Sequence, residues 1–177
     1  SIVIADTTVR RTLVSSAYNK RRESCEEAVR LLQQKIPTLK SLRDITVDDF
    51  EKMASLLPQE TQMRARHVVN EIERTSQAIP LLEKGDVSAF GKLMNECHAS
   101  LRDLYAVSGP ELDLMARLAQ PIDGCYGARQ TGGGFAGCTV NLVEKEKTED
   151  FSRILSSQYE RQTGLHPAVY ICTASDG

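Results

Sequence analysis

A chain of 177 residues with 41% hydrophobic content is long enough to bury one sizeable core, and its length does not require a second. Its 22 basic and 24 acidic residues leave a formal net charge of -2, so no basic excess points to nucleic acid, and 5% aromatic residues without Trp leave few rings for base stacking. No apolar run approaches the roughly 18 residues of a membrane span, and the start SIVIADTTVRR lacks the order of a signal peptide.

Taken in chain order, Ile2-Val3-Ile4 predicts a strand within Ser1 to Thr8, and a chain entering it without Met reads as a piece of something longer. Ser15 and Ser16 are candidate caps for a helix carrying Tyr18, Cys25, Val29 and Leu32 to about Gln34, with Pro37 ending it. Thr46 and Asp49 suggest a capping box before a short helix with Phe50, Met53 and Leu57. Glu60 to Lys84 has the clearest helical stripe, through Ala65, Val68, Val69, Ile72, Ser76 and Ile79, with Pro80 as a possible kink and Gly85 as a stop. Asp86 caps the next helix, whose Phe90, Leu93, Met94, Cys97, Leu101 and Leu104 predict an antiparallel pairing with its predecessor.

Ser108 and Glu111 spell a further box, opening a helix that ends near Pro121. From Gly124 the pattern turns to short extended runs: Cys138 to Leu142 alternates as a half-buried strand, Thr148 is a candidate cap for a helix with Phe151, Ile154, Leu155 and Tyr159, and Ala168 to Thr173 is a last strand. The order predicts a single α+β domain over residues 1–177, with a split β-α-β (ferredoxin-like) sheet backed by helices.

Within that plan the segment GARQTGGGFAGCTV, Gly127 to Val140, stands out. Gly132-x-Gly134-x-x-Gly137 satisfies a dinucleotide fingerprint, but a strand follows it where the pyrophosphate needs a helix N-terminus. Cys138 stands where a Walker A loop needs lysine, and the companion motifs of a protein-kinase loop are missing. A tight hairpin remains one reading. Three consecutive glycines exceed what a hairpin needs and favour close approach of a ligand or another domain.

DTTVRRTLVSSAYNKRRESCEEA, RARHVVNEIERT, GPELDLMARLA and YGARQTGGGFAGCTV, in this order, resemble the C-terminal half of the galactokinase family, within the GHMP small-molecule kinases. The resemblance covers nearly all of the chain. It implies transfer of the ATP γ-phosphate to the anomeric hydroxyl of D-galactose, with Mg²⁺, in a cleft between this domain and an N-terminal one. The glycine loop, Gly132, Gly133, Gly134 and Phe135, looks like the family's third motif, which supports the substrates and the main phosphate loop. The family's Gly-Glu-His segment, its phosphate loop and its catalytic aspartate segment have no counterpart here. The resemblance therefore implies a domain inactive alone, with Mg²⁺ ligands mainly in the N-terminal half.

Residue by residue, Arg10 falls where the family places a cation beside the transferring phosphoryl group, with Arg11 as rival, and Tyr18 matches a sugar-contacting tyrosine. Surface solvation and packing near Cys25 are the bland alternatives for these. Where galactokinases commonly show Gly-Ser-Arg-Met-Thr-Gly-Gly-Gly-Phe-Gly-Gly-Cys, this chain has Ala128, Gln130 and Ala136, and Gly109 stands where Cys is frequent. These departures leave room for another GHMP sugar kinase, such as one for N-acetylgalactosamine, and for a non-catalytic galactose-sensing regulator.

The five scattered cysteines, Cys25, Cys97, Cys125, Cys138 and Cys172, form no C-x-x-C pair and read as free thiols of a cytoplasmic protein. His67, His98 and His166 lack metal-ligand spacing, Asp6 and Asp103 read as caps or surface ion pairs, and Glu144 to Asp150 reads as a solvated turn.

Overall fold

The computed structural model describes residues 1–10 and 14–173. Its strands are β1 (Ile2–Asp6), β2 (Cys125–Gln130), β3 (Cys138–Val143) and β4 (Ala168–Cys172); its helices are α1 (Val14–Leu32), α2 (Val47–Met53), α3 (Gln59–Lys84), α4 (Val87–Ser100), α5 (Pro110–Ala119) and α6 (Thr148–Thr163). The sheet order is β2-β3-β1-β4 with every neighbouring pair antiparallel, so β1 and β2 run parallel with β3 between them. This is the expected split β-α-β plan. Among the described residues no helix is long and apolar enough to cross a membrane.

Two cores follow from the hydrophobic periodicities. Val3 and Ala5 alternate onto one sheet face with Ala128 and Val143, and meet Met115, Leu118 and Ala119 of α5 and Phe151, Leu155 and Tyr159 of α6. Ala28 and Leu32 of α1 pack with Phe50, Ala65 and Val69 in a second cluster formed by α1, α2 and α3.

Several capping expectations hold. Thr46 accepts the Asp49 N–H, Asp86 accepts the Ala89 N–H, and Gly85 ends α3 in the left-handed region at φ 68°. Others move. Gly109 is the N-cap of α5, because the Ser108 hydroxyl donates instead to Asp113 at 2.6 Å and Pro110 takes the first helical position. Thr148 lies inside α6, its hydroxyl turned back to the Lys145 carbonyl, and residues 145–147 form a 3₁₀ turn rather than a plain solvated one. Ser15 and Ser16 fall within α1, their side chains outside the described part. The α3 stripe packs only in its first half: Ser76 and Ile79, toward its C-terminal end, are exposed.

The buried histidine of α3 carries a pH prediction. His67 stacks on Tyr105 at 4.4 Å between ring centroids and shares a 2.8 Å hydrogen bond with Ser100 Oγ, and burial pushes its pKa from 6.5 down to about 4. A depressed histidine is neutral in the fold above about 4 but gains a proton in the unfolded chain below 6.5. Its contribution is therefore complete above pH 6.5 and is lost as pH falls toward 4, by ~3 kcal/mol at most. In urea unfolding, His67→Gln should lose less stability than the parent over that window; parallel losses would contradict the assignment.

Candidate active-site loop

The glycine loop joins β2 to β3, and its shape is imposed from below. Gly132, Gly134 and Gly137 have φ of 79°, 80° and 100°, and Phe135 adopts 64°. At Gly134 a Cβ would lie 1.9 Å from the Val107 carbonyl oxygen, and that same oxygen accepts the Phe135 N–H at 2.6 Å. Gly137 is tied to the end of β1, its carbonyl accepting both the N–H and the hydroxyl of Thr7. Gly132 and Gly133 are exposed, and their N–H groups make no hydrogen bond among the described residues.

Val107 belongs to a turn held by arginines. After α4 the chain makes a π-helical turn, Leu101–Tyr105, and Ala106 closes it at φ 50°. The carbonyls orphaned there are collected by cations. Arg64 of α3 donates to Leu104 O at 2.6 Å, and Arg21 of α1 donates to Tyr105 O at 3.0 Å and to Ala106 O at 2.5 Å. The Arg21 guanidinium also lies over the Phe135 ring, 5.6 Å from its centroid.

The segment after β1 completes this end of the molecule. Thr8 has φ 61°, held by its N–H to Asp6 Oδ1 at 2.8 Å. Arg10 bridges to Asp6 with two bonds of 2.9 and 2.7 Å, which lowers the Asp6 pKa and raises its own. Its charge is therefore fixed, and its side chain is exposed beside the Asp6–Cys138 pair that adjoins Gly137. Tyr18 lies one helical turn before Arg21 and is 66% exposed, so it is not a core aromatic. Arg11 lies outside the described residues.

Thr8, Ala106 and Phe135 are the non-glycine residues with positive φ among the described residues, and all three belong to this assembly. Left-handed backbone in a β-branched residue is an outlier that persists only where its surroundings impose it, and such strain gathers at functional sites.

Behind the loop, α4 covers the outer edge of β2. Asn95 Oδ1 accepts the Ala128 N–H at 2.8 Å, and His98 Nδ1 accepts the Gln130 N–H at 3.2 Å. Gln120 Nε2 donates to Ala128 O. An edge strand is thereby satisfied by side chains. Arg21, Asn95 and His98 were not among the residues anticipated; the spacing of Gly91, Asn95 and His98 on one helix face is the signal that would have shown two of them.

Against known proteins, a family profile described as GHMP kinases C terminal matches residues 78–161. The whole chain aligns with a protein named galactokinase from Roseiflexus sp. (strain RS-1) at 48% identity, spanning 45% of that protein. The chain has the fold of a GHMP-kinase C-terminal domain. A galactokinase from Fusobacterium nucleatum is 45% identical over all of the chain and 46% of its own length. The chain thus spans about half the length of the curated relatives it matches. The crystal structure of Lactococcus lactis galactokinase complexed with galactose superposes with a TM-score of 0.91 at 36% identity, over 96% of this chain and 44% of that one. L. major mevalonate kinase, at 19% identity and a TM-score of 0.57, shares the fold of this GHMP domain.

Proposed function

We propose that this chain is the C-terminal half of a galactokinase, a cytoplasmic enzyme that moves the γ-phosphate of ATP to the anomeric oxygen of D-galactose. The correspondence of the entire chain with relatives named galactokinase, at up to 48% identity, carries the reading. Residues 1–177 then form one domain whose partner is the protein's own N-terminal domain, and alone they are inactive, because positioning and charge stabilisation need both walls of a cleft.

In this reading the exposed glycines of the loop, Gly132 and Gly133, face the substrates, and Arg10 stabilises charge developing on the transferring phosphoryl oxygens. Tyr18, exposed on α1, contacts the sugar. Mg²⁺, when bound, would neutralise charge on the ATP phosphates. The family resemblance places its ligands mainly in the N-terminal half.

The departures from the family's common loop pattern leave the galactokinase reading in place without choosing between sugars. Ala128 and Gln130 are buried in β2, and Ala136 has no positive φ, so all three alter the support of the loop rather than its exposed face. A coupled assay of ADP release by the full-length protein tests the assignment. Arg10→Ala should lower kcat by about 100-fold or more with a smaller change in KM, and Tyr18→Phe should raise the galactose KM by about three- to tenfold. Unchanged kcat in Arg10→Ala would remove that residue from the reaction.

A further inference from the structure

The polar groups behind the glycine loop form a continuous buried chain. His98 is 3% exposed and Gln130 is 1% exposed. The His98 Nδ1 accepts the N–H of Gln130, the last residue of β2, at 3.2 Å. The Gln130 side chain in turn donates to Val107 O at 3.4 Å, the oxygen that also takes the Phe135 N–H. A Cβ at Gly134 would sit 2.8 Å from Gln130 Nε2, so the loop rests directly on this amide.

On its other side the ring faces Asp113. His98 Nε2 lies 3.3 Å from Asp113 Oδ1, within charge contact but outside hydrogen-bond alignment, and Asp113 is held by the Ser108 hydroxyl at 2.6 Å. This side borders a cavity of ≈ 320 Å³ lined also by Arg102, Pro110, Arg117 and Gln120.

We propose that His98 is a positioning residue for the glycine loop: its unprotonated Nδ1 holds the last amide of β2, and Gln130 passes that constraint to Val107 and Gly134. Protonation of Nδ1 sets two N–H donors against each other and releases Gln130. The charged groups facing the ring are Asp113 and Arg117 from α5 and Arg102 and Asp103 from the turn after α4, while β2 offers only the Gln130 amide. Burial lowers the His98 pKa against the opposing pull of Asp113, so the holding form prevails at neutral pH and fails on the acid side of 6.5.

The functional consequence rests on the galactokinase reading; the positioning itself does not. Hydrogen exchange of the segment 130–137 in the full-length protein at neutral pH should be about tenfold faster or more in His98→Leu, which leaves the Gln130 amide unsatisfied. His98→Asn, whose Oδ1 replaces Nδ1 but cannot titrate, should restore slow exchange. In galactose-dependent turnover, the wild type should lose kcat on acidification, and His98→Asn should flatten that limb. Loop exchange in His98→Leu equal to wild type overturns the proposal, as does an acid limb unchanged in His98→Asn. Should His98→Leu fail to fold, the pH profile of His98→Asn decides. Should the protein show no galactose-dependent turnover, wild-type exchange remains the test: segment 130–137 should open more on acidification in the wild type than in His98→Asn.

Discussion

Gly134→Ala is expected to reduce turnover of the full-length protein by about 100-fold or more, while Gly132→Ala reduces it by about tenfold or less. Both positions have nearly the same φ, 80° and 79°, so the left-handed strain of about 1–2 kcal/mol is common to both. They differ in what surrounds them. A Cβ at Gly132 meets open space, whereas one at Gly134 overlaps the Val107 carbonyl oxygen at 1.9 Å. That oxygen is backbone and cannot swing aside as a side-chain end would. Moving it breaks its bonds from Phe135 N and Gln130 Nε2, which hold the loop. The expected result is an undocked loop on a folded domain: kcat falls steeply, and the melting temperature falls by less than a core lesion would cause. Equal kinetics for the two variants would contradict this account of the loop.

Gly91→Ala reverses the ordinary expectation for a helix. Replacing glycine by alanine within a helix stabilises it by about 1 kcal/mol through backbone entropy. Here a Cβ would stand 2.1 Å from the Tyr126 carbonyl oxygen, and Gly127 faces Gly91 with an equally close approach. α4 and β2 therefore touch backbone to backbone, which is also what lets Asn95 and His98 reach the strand edge. Adding one methyl group forces the two apart, with a loss of about 3 kcal/mol in denaturant unfolding. A stability gain would show that α4 can shift without cost.

These contacts explain what could be read in the sequence. The helices, the strands and their order followed from periodicity and caps, because Gly85, Thr46 and Asp86 act through their own neighbours. The Ser108 and Thr148 caps did not, since each hydroxyl has a second partner that pattern cannot weigh: Asp113 for one and the Lys145 carbonyl for the other. The glycine loop was visible as composition, but its rigidity is not local. It comes from Val107, Arg21 and Thr7, distant in sequence and joined only by the fold. Placement of Arg10 and Tyr18 came from family resemblance; an exposed arginine paired with Asp6 and an exposed tyrosine carry no marker of their own.

The most direct test of the central claim is the chemical identity of the product. The full-length protein, incubated with ATP, Mg²⁺ and either D-galactose or N-acetylgalactosamine, should be followed by ³¹P NMR. The account predicts one new sugar phosphate, from galactose, with phosphorus coupled to the anomeric proton, and none from residues 1–177 alone. Phosphorylation of N-acetylgalactosamine in preference to galactose, phosphate on another oxygen, or no sugar phosphate from a folded full-length protein would contradict it.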